Sequence, residues 1–340
     1  MVWVLCEQCT FQSSSNMMVM NPKPLVSVIV ANWNGARDLE ICLPTLHAQS
    51  YRPLEIIVVD SGSTDDSFAV ASSSDVRWVG LTRNLGLAAA LNRGAAASHG
   101  EFVLFLNNDM RFPEVFVESM VCSISGDPSI FSVDAIQYDW NGSKTVHLAT
   151  SLAQKRSGDL DEQFVPGLFV CQRTYDAPTP VLMSSAANML TRKSMFQELG
   201  GFDERLPVGY EDVELCWRAW LRGWKSMFDP GAICWHRVGQ SSRSVEGSRV
   251  RFRGTLGGRL LTATKLLPVS YAIITWLVTL AGLASDVSRL RWQRVEDRLK
   301  VLSHFIGHLG PLLRERSEIY SSGRASPSQH LNRLLQLPGA

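Results

Sequence analysis

Short apolar runs recur through the first half of the chain, and each is closed by polar residues. Residues 25–31 (LVSVIVA) end in Asn32-Trp33-Asn34-Gly35, and residues 54–59 end in Asp60-Ser61-Gly62. A third run covers residues 76–81. A fourth, residues 102–106, is closed by Asn107-Asn108-Asp109. Continuous apolar runs of this length predict strands buried on both faces. Helical spacings lie between them. Leu39, Cys42, Leu43 and Leu46 mark a helix within residues 37–49, which Pro44 should kink or shorten. Ser63 or Thr64 should cap a short helix reaching about Ala71. An Ala-rich helix covers residues 86–98, and another begins near Phe112 or Pro113. This alternation predicts an α/β fold with a doubly wound, mostly parallel sheet.

The second half is patterned less evenly. Residues 139–180 carry Gly, Pro, Asp and Thr throughout and read as a loop-rich excursion with about two strands. Regular structure resumes over residues 181–190. A helix follows over residues 193–199, ended by Gly200-Gly201. Val213, Cys216, Trp217, Trp220 and Leu221 then recur at helical spacing, closed by Gly223. The Trp stripe reads as core packing rather than a substrate platform. Glu211 and Asp212 fall at the start of that helix, where free N–H groups and the dipole favour carboxylates. Residues 225–229 and 232–235 read as two short strands, the second ended by His236.

Residues 266–285 contain no charge and are long enough to span a bilayer. Pro268, Ser270, Thr275, Thr279 and Gly282 dilute the run, however. Both flanks are basic, whereas a spanning helix should be basic on one side. A helix lying in or on a membrane surface fits better, extended by basic, Leu-rich helices to about Tyr320. Charge changes the picture further. The net charge of +1 hides a balance of −9 over residues 1–236 and +10 over residues 237–340. The basic part suits an anionic membrane surface. No zinc-finger, RRM or helix-turn-helix pattern accompanies it, so nucleic acid is not the expected partner. The seven cysteines are scattered, which fits a reducing compartment. Cys6 and Cys9 form a lone CxxC without a second pair at zinc spacing. Residues 1–22 lack the pattern of a signal peptide and read as a disordered extension. Residues 321–340 read as a disordered tail.

Three strand ends therefore carry polar turns, and a sheet that brings them to one edge makes a crevice. No GxGxxG or GxxxxGK[ST] follows any strand, so neither familiar phosphate loop is present. A metal must then carry more of the neutralisation of a diphosphate. Asp109 offers a hard carboxylate for Mg2+ or Mn2+, although an Asp there could equally cap the next helix.

Three segments together resemble glycosyltransferase family 2, with its GT-A fold, and its bacterial rhamnosyltransferase-like members in particular. They are SVIVANWNG with IIVVDSGSTDDS; RNLGLAAALNRGAAASHGEFVLFLNNDM; and MLTRKSMFQELGGFDERLPVGYEDVELCWRAWLRGW with CWH behind it. The resemblance implies a GT-A domain over residues 23–240, and the basic and apolar pattern after it makes residues 241–320 a helical, membrane-associating region. It implies that Ala31 and Trp33 line a nucleobase pocket and that Asp60 contacts base or ribose. Ser61 stands where the family has a second acidic residue, which leaves the base open. Arg83, Asn84, Gly86 and Asn92 match the segment shaping the donor pocket. Asn107-Asn108-Asp109 replaces the DxD motif, with Asp109 as its one carboxylate. His236 matches a position that can complete metal coordination. Asp212, or second to it Glu211, matches the catalytic base.

These roles describe an inverting, metal-dependent transfer from a dTDP-, UDP- or GDP-linked sugar to a glycolipid or polysaccharide acceptor. A base takes the proton of the attacking hydroxyl, and a cation offsets charge on the leaving diphosphate. Such an enzyme would work at the cytoplasmic face of the cell membrane, in cell-surface glycan synthesis, with rhamnose a candidate sugar. The alternative is a catalytically silent relative that binds or scaffolds within a glycan-assembly complex. The thinned Asn107-Asn108-Asp109 motif favours it, and Glu211-Asp212 argues against it.

Overall fold

The computed structural model describes residues 22–155, 162–206, 209–237, 245–321 and 325–338. The opening alternation forms as the apolar pattern requires. Its elements are β1 (Val26–Asn32), α1 (Ala36–His47), β2 (Leu54–Asp60), α2 (Ser67–Ser72), β3 (Arg77–Gly80), α3 (Leu87–Ala97) and β4 (Phe102–Asn107). β1 pairs in parallel with β2 and β4, and β2 with β3. In this register Asn32 lies beside Asp60 and Ala31 beside Asn107. The three polar strand ends thus share one edge. Side chains alternate across the sheet. Val28 and Val30 pack with α1, whereas Ile29 packs with α3.

The chain continues through β5 (Met110–Arg111), α4 (Phe116–Ser125), β6 (Ile130–Asp139), β7 (Thr145–His147), β8 (Ala149–Ala153), β9 (Glu162–Val165), β10 (Leu168–Arg173), β11 (Thr179–Val181), β12 (Asn188–Arg192), α5 (Lys193–Glu198), α6 (Glu211–Leu221) and β13 (Lys225–His236). The main sheet runs β11-β13-β6-β12-β4-β1-β2-β3, with β5 added to β13 and β7 to β6. β12 is antiparallel to both β4 and β6, while β13 runs parallel to β6. β8, β10 and β9 make a separate antiparallel sheet. Four helices complete the chain: α7 (Val245–Leu266), α8 (Val269–Ser288), α9 (Trp292–Ser321) and α10 (Pro327–Leu334).

Several expectations are corrected. Helix α1 runs through Pro44 to His47, because the proline falls in its last turn. Neither Ser63 nor Thr64 caps α2. Ser63 is committed to Asp60, and Asp65 accepts from the Ser67 N–H instead. Residues 139–180 hold β7 to β10 and the start of β11 rather than two strands. These strands are short and antiparallel, so their alternation is too brief to stand out. The two strands expected over residues 225–235 are one, β13, whose register shifts between Asp229 and Ile233. The expected disordered tail carries α10, opened by a capping box at Ser326. Its Leu331 and Leu334 are buried, and His330 meets the Trp217 ring edge-on. The N-terminal extension, with Cys6 and Cys9, lies outside the described residues save for Pro22.

An ion network joins the last helices to the body. Lys265 on α7 reaches Glu214 on α6 at 2.7 Å and Asp203 at 3.0 Å. Arg218 pairs with Glu214 at 2.6 Å, and Arg205 reaches Glu315 on α9 at 2.7 Å. Asp203 is buried, but the Arg205 and Lys265 cations outweigh that and hold its carboxyl below the usual range.

Candidate active site

The donor side is built from the shared strand edge. Asn108 donates to Asn32 Oδ1 at 2.6 Å, and Asn32 donates to Asp60 Oδ1 at 2.8 Å. The Ser63 N–H donates to Asp60 Oδ2 at 2.8 Å. Asp60 is therefore fixed on both oxygens. Gly35 is required here, because a Cβ would stand 1.9 Å from the Asn108 amide nitrogen. Ala31, Asp60 and Ser61 line this edge, and the Trp33 ring is 53% exposed beside it. Arg83 and Asn84 sit on the exposed loop facing Gly62. Asn84 accepts from the Gly86 N–H at 2.9 Å, and Gly86 adopts a φ of 94° before α3.

Asn92 does not join this group. Its side chain bonds the Phe202 backbone in both directions, at 2.9 Å each. It ties α3 to the segment before α6.

Asp109 and His236 do come together. β5 pairs with the end of β13, and His236 Nε2 lies 3.1 Å from Asp109 Oδ1. The other ring nitrogen, Nδ1, lies 2.8 Å from Gln137 Oε1. An imidazole that donates from Nδ1 presents its Nε2 lone pair to the carboxylate, which suits a cation between them. One oxygen and one nitrogen donor fit Mg2+ or Mn2+ if diphosphate oxygens fill the remaining positions. No group of three or more His, Cys, Asp or Glu suited to a metal occurs among the described residues.

Glu211 and Asp212 open α6; Glu211 is buried and Asp212 is half-buried. Asp212 Oδ2 accepts from the Ala186 N–H at 3.3 Å, and Oδ1 from the Val213 N–H at 2.8 Å. Burial pushes the Asp212 carboxyl up, against these N–H groups and the nearby His147. Burial, reinforced by Asp212, pushes Glu211 up to about 8. Glu211 Oε2 is buried without a hydrogen-bond partner. Residues 184–187 connect the two sides. The Ala187 carbonyl accepts from the Asn107 N–H at 3.2 Å, one residue after Ala186 holds Asp212. The base candidate is thus anchored to the strand edge that carries the donor residues.

The Glycosyl transferase family 2 model matches residues 27–200. The chain belongs to this family. Its sheet and helices form the GT-A fold. Poly-beta-1,6-N-acetyl-D-glucosamine synthase of Staphylococcus aureus is 24% identical over 246 residues, covering 68% of this chain and 57% of the synthase. The chain therefore spans little more than half the length of that family 2 relative. N-acetylglucosaminyl-diphospho-decaprenol L-rhamnosyltransferase of Mycobacterium tuberculosis is 26% identical over 238 residues, covering 64% of this chain and 78% of that enzyme. The mannosyltransferase PcManGT from Pyrobaculum calidifontis, solved with GDP-Man and Mn2+, superposes with a TM-score of 0.52 at 18% identity, covering 91% of this chain and 79% of that one.

Sequence reasoning missed Gln137, which orients His236, and the buried pair Asp134 and His147 beside Asp212. Asp134 had a signal, as one carboxylate inside the apolar run IFSVDAI. His147, on a three-residue strand, had none.

Proposed function

We propose that this chain is a glycosyltransferase that passes a sugar, with inversion, from a nucleoside diphosphate donor to a hydroxyl of a lipid-linked or polysaccharide acceptor. The observation that carries this reading is the link through residues 184–187, which sets Asp212 beside the strand edge of Asn32, Asp60 and Asn107. Asp60 and Asn32 hold the nucleoside, with Trp33 free to stack on the base. Arg83 and Asn84 flank the diphosphate. Asp212 accepts the proton of the acceptor hydroxyl as that oxygen attacks the anomeric carbon. A charge on Asp212 favours the protonated form of its neighbour Glu211. Asp109 and His236 would hold a divalent cation, which when bound offsets charge on the leaving diphosphate. An L-rhamnosyl donor is the first to try, because a relative matched over most of its length is named for that sugar.

The acceptor's lipid suggests where the enzyme works. Helix α8 is the one described helix long and apolar enough to cross a membrane. Val269, Ile273, Ile274, Leu277, Val278 and Leu280 are exposed on it, while Thr275, Thr279 and Asp286 face inward. Leu290, between Arg289 and Arg291, and Trp292 after them protrude at the following turn. This surface suits insertion into the anionic face of a bilayer on the cytoplasmic side.

The test is thermal stabilisation of the purified chain by UDP, GDP and dTDP, with and without Mn2+ or Mg2+. A nucleotide at about 100 times its dissociation constant should add about 2.7 kcal/mol. We expect one nucleotide to stabilise in a metal-dependent way, and Asp109→Ala to remove the metal dependence. No stabilisation by any of them would overturn the enzyme reading in favour of a silent binding relative.

A further inference from the structure

A carboxylate in the middle of a sheet is costly unless something compensates it. Asp134 is such a group. It sits in β6 between buried Val133 and Ala135 and is itself fully buried. Its Oδ2 lies 2.6 Å from His147 Nε2, on the neighbouring strand β7. Its Oδ1 accepts from the Ser185 N–H at 3.2 Å. The next N–H along the chain, that of Ala186, holds Asp212. Two successive backbone donors therefore serve two carboxylates on different elements, the fully buried Asp134 and the half-buried Asp212, and His147 is bonded to the first.

We propose that His147 and Asp134 are positioning residues for the sugar transfer: Asp134 fixes His147 and residues 184–187, and His147 presents a positive charge to Asp212. This rests on the reading of Asp212 as the base. The charges around Asp212 are few. Asp134 comes from β6 and His147 from β7. Glu211 and Cys216 share α6 with it, and Tyr210 precedes that helix. Burial disfavours the imidazolium, but Asp134 and then Asp212 outweigh burial and raise His147 above the ordinary imidazole value. In turn His147 opposes the effect of burial on Asp212 and extends its ionised range toward neutral pH. His147 is the one cationic group among these neighbours.

The experiment is the pH profile of kcat for wild type, His147→Gln and the double variant Asp134→Asn/His147→Gln, with donor KM and thermal stability measured alongside. Losing the cation makes Asp212 harder to ionise. The acid limb of His147→Gln should move to higher pH by about one unit. Turnover on that limb should fall by about tenfold, with donor KM unchanged. The double variant leaves no unpaired buried carboxylate, so it keeps the test open should the single variant not fold. Because Asp134 repels Asp212 while His147 attracts it, its limb should move the same way but less far. An acid limb that superimposes on wild type, with activity lowered evenly at every pH, would overturn the proposal and leave the pair a structural one. Asp212→Asn separates the two failures. If it retains activity, the base assignment is wrong. If it is inactive while the limb stays put in the folded variant, only the positioning role is wrong.

Discussion

Helices α6 and α8 both invert the usual distribution of polar and apolar residues, and they do so for opposite reasons. Helix α6 buries Glu211 and Glu214 and half-buries Asp212 and Arg218. Helix α8 exposes Val, Ile and Leu and turns Thr275, Thr279 and Asp286 inward. On α6 these charges divide into two kinds. Glu214 is matched by Arg218 and Lys265 at 2.6 and 2.7 Å, and these cations hold its carboxyl below the usual range against burial. Glu211 and Asp212, one turn earlier, are raised instead. Carboxylates matched by cations lock the C-terminal helices to the body. Carboxylates left without such a match are available for proton chemistry. On α8 the inward polar groups are satisfied locally, Thr275 by the Tyr271 carbonyl at 2.7 Å and Asp286 by Arg298 at 2.7 Å. Its outward face has no partner in the described chain. On the proposed function, one inversion serves the reaction and the other the membrane.

The sharpest way to break the comparison is Asp212→Asn. The change keeps the shape and removes a charge that burial already disfavours, so folding should be as stable as wild type or more so. Turnover should fall by roughly two to four orders of magnitude, as for loss of a general base. Stabilisation by the nucleotide and metal should survive, because the donor edge is untouched. Turnover within about tenfold of wild type would place Asp212 with Glu214 among the structural charges.

A smaller effect is expected on α8. Ile273 and Leu277 lie one turn apart and are 54% and 59% exposed. Changing both to Glu should leave the thermal stability of the protein in water unaltered. Each large apolar side chain is worth about 1.5–3 kcal/mol when fully buried, so partial insertion still predicts at least a tenfold loss of binding to anionic vesicles. Vesicle binding that does not change would show that lipid does not cover this face. A wild-type dimer in detergent-free buffer that the variant dissolves would assign it to a second copy of the chain.

What the sequence made legible follows from the same physics. The parallel strands β1, β2 and β4 are buried on both sides, so their runs are unbroken and their polar ends conspicuous. Trp33, Asp60 and Asp109 could be picked out for that reason, whereas Asn32, which fixes Asp60, was not. Asp212 stood out through the helix it opens. The strands β7 to β10 are short, and their pairings are antiparallel and local. The pairing that carries His147 to Asp134 joins residues of no common motif. The bonds of Asn92 to the Phe202 backbone had no signal, because a side chain that bonds a distant backbone looks no different in sequence from one that meets a ligand.

Glu211 offers the finest discrimination within α6, and the smallest effect. Burial, then Asp212, raises its carboxyl from 4.5 to about 8. The folded chain therefore holds a proton that the unfolded chain releases near pH 4.5. The stability this contributes is complete below that pH and is lost as pH climbs toward 8. His147, also raised, acts in the same direction above its ordinary value. Glu214 and Asp203 are lowered, so their contribution is lost only at more acid pH. Melting temperature should accordingly decline between pH 5 and pH 8. Glu211→Gln supplies a neutral side chain at every pH, so its curve should be flatter and should lie a few degrees above wild type at pH 8. Its turnover should stay within several-fold of wild type while that of Asp212→Asn collapses. Parallel melting curves for wild type and Glu211→Gln would mean that Glu211 ionises normally in the fold, and that burial and the Asp212 charge do not hold its proton.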